Sequence, residues 1–117
     1  MKGDGSIAER TAANYLRKKK YRLIDFNYST RIGEIDLIFE TKKNIVFVEV
    51  KARNEDSIAE PKEFVDYSKQ KKIIASAEQY LASHKTELQP RFDVVEIIYK
   101  KDGKISIKHL ENAFTLD

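Results

Sequence analysis

The sequence predicts one α/β domain, a mixed central sheet flanked by helices, with the elements running helix, three strands, helix, two strands. Three observations predict it. Ser6 to Lys19 and Pro61 to Ser83 carry helical periodicity. Five other stretches carry the alternation or the short apolar runs of strands. At 117 residues, 41% hydrophobic, with six Tyr and six Phe, residues 1–117 have material for one core and not for two.

In the first helix, Ala8, Ala12, Tyr15 and Leu16 share a side, and Ser6 is placed to cap it. At 100° per residue Glu9 falls between Leu16 and Ala13, inside the apolar arc, so its carboxylate should point toward the sheet. A surface glutamate whose stem covers apolar neighbours fits the same position. Tyr21 to Tyr28 reads as a strand. Gly33 to Glu40 and Ile45 to Arg53 read as a hairpin joined by Thr41-Lys42-Lys43-Asn44. A polar segment, Asn54 to Glu60, follows. Pro61 suits the first turn of a helix to Ser83 with Tyr67, Ile74, Ala77 and Leu81 on its apolar side. Gln70 projects with them, and Lys69 lies toward the polar boundary. Arg91 to Lys100 is a strand, Asp102-Gly103 a turn, and Lys104 to Ile107 the last strand.

The hairpin carries an anomaly. With Glu40 facing Ile45, the antiparallel register sets Asp36 opposite Glu49 and Glu34 opposite Lys51, all on one face. The other face holds Ile35, Leu37, Phe39, Val46, Val48 and Val50. Directly opposite residues have Cβ atoms about 4.5–5.5 Å apart, which brings two carboxylates within reach of one divalent cation. Facing like charges destabilise a sheet, so the pair asks for a function. An exposed hairpin face with an ordinary Glu34–Lys51 ion pair is the plainer reading.

Composition narrows the chemistry. The absence of cysteine excludes disulfides, thiolate zinc sites and thiol nucleophiles, and His84 and His109 alone do not make a histidine-rich site. No stretch has the apolar length of a signal peptide or membrane helix, so no membrane partner and a cytoplasmic location are expected. The net charge is +3, with basic clusters at Arg17-Lys18-Lys19-Lys20 and at Lys69, Lys71 and Lys72 that suit phosphates or simply a solvated surface.

Asp36 followed by Glu49-Val50-Lys51 resembles the signature of the PD-(D/E)-x-K nucleases, with Ile35 where that signature has proline. More of the chain is similar to the small bacterial YraN-like family, itself similar to archaeal Holliday junction resolvases. That resemblance rests on Glu9 through Leu16, Gly33 to Ile38, Phe47 to Arg53, Ser68 to Gln70 and Arg91 to Val95. Near the N-terminus, Gly5-Ser6-Ile7-Ala8-Glu9 keeps the family's glutamate without its second glycine. The resemblance implies a restriction-endonuclease-like fold and, by superfamily analogy, cleavage of DNA, including branched DNA. Because junction resolvases cut two symmetric strands as dimers, it also implies a homodimer.

Under that resemblance Asp36 and Glu49, helped by the Val50 carbonyl and by Glu9, would hold Mg²⁺ or Mn²⁺, and Lys51 would orient or deprotonate the attacking water. Glu34 would steer Lys51 or reach a second ion, unless it is a structural ion pair, Arg53 would bind a phosphate, and Lys69 and Gln70 would contact substrate from the second helix. Arg91 and Asp93 are expected to pair with each other. A non-catalytic nucleic-acid-binding module and a protein-interaction domain of the same fold remain alternatives.

Overall fold

The computed structural model describes residues 5–56 and 65–115, with side chains from Ile7. The elements run α1 (Gly5–Lys18), β1 (Arg22–Ser29), β2 (Glu34–Glu40), β3 (Asn44–Asn54), α2 (Tyr67–Ser83), β4 (Gln89–Tyr99) and β5 (Ile105–Phe114). They form one five-stranded sheet in the order β1-β2-β3-β4-β5. Neighbours are antiparallel except β3 and β4, which are parallel and joined across the sheet by the segment containing α2. Among the described residues no helix is long and apolar enough to cross a membrane.

Each face has its own core. Ala8, Ala12, Ala13 and Leu16 of α1 pack on Leu37, Phe39, Val46, Val48, Val95 and Ile97. Ile73, Ala77 and Tyr80 of α2 pack on Ile38, Ile45, Phe47, Phe92 and Val94. The hairpin is thus apolar on both sides near its turn, as a covered α/β sheet requires. Asp36 and Glu49 lie toward the other end, on the α2 face, while Glu40 beside the turn pairs with Arg22 of β1. Ile35 departs from the expected alternation and joins the α2-side cluster. The β2–β3 ladder ends at Leu37↔Val48, so beyond that pair no ladder holds the strand to its period.

Two boundaries move. The second helix begins at Tyr67, not in a turn started by Pro61, because Asp66 caps it: its φ/ψ of −72°/168° is extended and its Oδ1 accepts the Lys69 N–H at 2.8 Å. Pro61 lies outside the described residues, as does most of the polar segment before it and the side chain of Ser6, through which α1 already runs. The last strand extends to Phe114 instead of stopping at Ile107. Its polar second half earns its place through the buried Asp93 carboxylate, which accepts from His109 Nε2 at 2.7 Å and the Asn112 N–H at 3.0 Å.

The turn before β2 is fastened to α2. Thr30 Oγ1 accepts the N–H groups of Ile32 and Gly33, both at 3.0 Å, and lies 2.9 Å from the buried Ser76 Oγ. A Cβ on Gly33 would stand 3.1 Å from Lys72 Cβ, so a larger residue here would press the helix back by a few tenths of an ångström. The start of β2 is thereby set against the first turns of α2.

Candidate active site

Where the β2–β3 ladder stops, a side chain takes over. Asp36 Oδ2 accepts the Val50 N–H at 2.8 Å, and the Glu49 side chain meets Asp36 just beyond the last ladder pair, Leu37↔Val48. Both carboxylates are buried, at 2% and 4% exposure, and they lie in hydrogen-bond contact. Burial first, and the Asp36 charge second, push the Glu49 carboxyl up to about 7 against the pull of Lys69.

Two lysines answer the pair. Lys69 Nζ is 2.5 Å from Glu49 Oε2, and Lys51 Nζ is 3.9 Å from the same oxygen. Burial opposes the Lys69 charge, but Glu49 outweighs it and raises the Lys69 ammonium. The Lys51 ammonium goes the other way, lowered by burial and then by Lys69. The α2 cap explains how Lys69 is aimed: its N–H is held by Asp66 while Gln70 Nε2 donates to the Val65 carbonyl at 3.0 Å. Gln70 therefore serves the helix start and faces another cavity, of about 570 Å³, shared with Tyr67 and Phe114.

The remaining candidates are distributed around this centre. Glu34 accepts from Ser29 Oγ at 3.2 Å and lines a small recess of about 140 Å³ with Glu49, Lys69 and Lys72. Arg53 Nε lies 2.5 Å from Glu96 Oε2. Glu9 is buried at 6% exposure on α1 and lines a different cavity with Leu37. Among the described residues no three His, Cys, Asp or Glu side chains group to hold an ion, so the acids here are a pair.

Glu96 escaped the sequence reading. It is 1% exposed and sits level with Lys51 in the parallel register. The available signal was an acid in step with Phe92 and Val94 on an apolar strand, the same sign that exposed Asp36 and Glu49. Arg91 and Asp93 do pair, through two bonds of 2.9 Å, and Arg91 also donates to Tyr21 Oη at 2.6 Å. This network belongs to the α1 side and braces β4.

Residues 8–97 match the model of a family described as uncharacterised protein family UPF0102. A UPF0102 protein of Caldanaerobacter subterraneus subsp. tengcongensis is 45% identical over 114 residues, covering 94% of this chain and 93% of that one. One from Alkaliphilus oremlandii is 45% identical, covering 94% and 96%. One from Clostridioides difficile is 40% identical, covering 97% of each.

Proposed function

The chain belongs to the UPF0102 family, and on that premise we propose that it is a metal-dependent nuclease that hydrolyses phosphodiester bonds of DNA, branched DNA included. The observation that carries this reading is the buried Asp36–Glu49 pair with Lys51 and Lys69 beside it. Two facing carboxylates, one of them pushed up to about 7, weaken a sheet unless a cation joins them.

The donor set fits a hard divalent ion. Asp36, Glu49 and the Val50 carbonyl offer oxygen only, and with no third acid in the group Mg²⁺ or Mn²⁺ would keep several waters, as it prefers to. When bound, such an ion polarises the phosphoryl group and lowers the pKa of water. Lys51, its ammonium lowered by burial and then by Lys69, stands beside Glu49 where it would orient the attacking water at Nζ or take its proton. Once protonated, it offsets charge building on the phosphorus. Lys69 and Lys72 line the recess from α2 and supply positive charge to a phosphate approaching Glu49. Arg53, held by Glu96, keeps the end of β3 against β4.

The test is incubation of the purified protein with linear, branched and four-way DNA in Mg²⁺ and in Mn²⁺. Cleavage by the wild type, abolished in Lys51→Ala and Glu49→Ala while DNA binding persists, is the expected result. Undiminished cleavage by either variant, or none by the wild type on any substrate, overturns the reading.

A further inference from the structure

On the α1 side of the sheet, a cavity of about 300 Å³ lies between α1 and the β1–β2 hairpin, a size at the lower end of small-ligand sites. Its lining is mostly apolar, from Ala13, Leu23 and Leu37, and includes the buried Glu9. Phe26 stands at its rim and is 57% exposed, an unusual place for a phenylalanine in a chain that buries Phe39, Phe47 and Phe92. Next to it Asn27 adopts φ +50°, in the left-handed region that asparagine tolerates, and its Oδ1 is buried without a hydrogen-bond partner. A buried acceptor left unpaired is costly, and here it belongs to a residue lining the cavity. On the facing helix Arg10, Asn14 and Arg17 follow one another at i, i+4 and i+7, exposed along the same cavity.

An aromatic face, an orphaned acceptor and two guanidinium groups over an apolar floor are the complement of one chemical class. We propose that this cavity receives an unpaired nucleobase of a DNA strand: Phe26 stacks on the base, Asn27 Oδ1 accepts from its exocyclic amino group, and Arg10 and Arg17 hold the flanking phosphates. Arg10 and Arg17 are about 10 Å apart along the helix axis, room for successive phosphates of an extended strand. The subsite rests on the nuclease reading of the acid pair and adds a preference to it. Leu37 lines the cavity on the α1 side while Asp36, its neighbour in the chain, forms the pair on the α2 side, so the two sites lie on opposite faces of the sheet. A protein that takes up an unpaired base favours DNA that offers one, as a branch or flap does, over continuous duplex.

The test is fluorescence anisotropy with short labelled single strands of oligo-dA, oligo-dC and oligo-dT in EDTA, which keeps binding separate from cleavage. The wild type should bind oligo-dA and oligo-dC more tightly than oligo-dT, which lacks an exocyclic amino group. Phe26→Ala should weaken binding by about tenfold and Phe26→Trp should retain it, since any aromatic face serves for stacking. Asn27→Gly keeps the backbone conformation and should erase the preference among bases. Equal binding of all three strands by the wild type, or unaltered binding by Phe26→Ala, overturns the subsite even where the protein cuts DNA. The base preference without cleavage of any DNA in Mg²⁺ or Mn²⁺ leaves the subsite standing and overturns the nuclease.

Discussion

The Val50 N–H donates to Asp36 Oδ2 at 2.8 Å, so one carboxylate stands in for a bond of the sheet at the point where the β2–β3 ladder ends. Asp36 is therefore both a structural acceptor and half of a like-charged pair, and substitutions can separate the two roles.

Asp36→Asn keeps an oxygen for the Val50 N–H and removes the repulsion with Glu49. Without metal it should melt at or above the wild-type temperature. Asp36→Ala leaves that N–H unpaired and should cost about 1–3 kcal/mol. Mg²⁺ or Mn²⁺ should raise the melting temperature of the wild type and do so much less in Asp36→Asn, as a ligand of the folded state must. Thermal denaturation with and without metal checks all three.

Lys69 holds Glu49 at 2.5 Å and so competes with any cation for the same oxygen. Lys69→Met should tighten Mn²⁺ binding on the order of tenfold, by removing an opposite charge from the carboxylate. The same variant should bind DNA more weakly. Mn²⁺ titration followed by electron paramagnetic resonance measures the first effect, and anisotropy the second.

Asp93 provides the pH dependence. Burial acts to raise its carboxyl, but hydrogen bonds from His109, Arg91 and the Asn112 N–H outweigh burial and hold it below the usual carboxylate range. A carboxyl lowered in the fold adds stability above its unfolded pKa of about 3.9, and that stability is lost as the pH falls through the folded value. Asp93→Asn should thus cost about 3–5 kcal/mol near neutrality, the range for breaking a buried pair, and the gap from wild type should close below about pH 4. Urea denaturation across that range reads the difference.

Gly33→Ala should destabilise the protein by about 1–3 kcal/mol, as overpacking does. The added carbon would press on Lys72 Cβ at 3.1 Å and the Lys72 carbonyl at 3.4 Å, atoms that can yield only if α2 shifts. Since α2 carries Lys69, the DNA cleavage proposed for this site should fall further than stability alone explains, which assays at a temperature well below melting would reveal.

Much of this was readable beforehand because period and register are local. Glu40 opposite Ile45 follows from the loop length, and counting from it leads to the side-chain meeting of Asp36 and Glu49, although the ladder itself stops at Leu37↔Val48. What escaped depended on partners far along the chain. The second half of β5 looks like polar loop until Asp93 is seen receiving His109 and Asn112. Ile35 changes sides because the ladder stops, and nothing in its own neighbourhood signals that. Gln70 shares the helical phase of Ile74 and Ala77, yet its amide is drawn to the Val65 carbonyl at the helix start, an attraction that periodicity does not contain. Glu96 carried the same warning as Asp36, but its meaning came from Arg53 on a strand that pairs with it only after the crossover.

The strand order bears on how the chain assembles. Strands lie side by side in the order of synthesis, and hairpins closed by short turns join β1 to β2, β2 to β3 and β4 to β5. Such neighbours find one another quickly, whereas the parallel β3–β4 seam must wait for a long loop to close. Lys69 lies inside that loop, and Glu96 lies beyond it. On this topology the apolar hairpins are expected to form early and the β3–β4 seam, to which Lys69 and Glu96 are brought, to close after them.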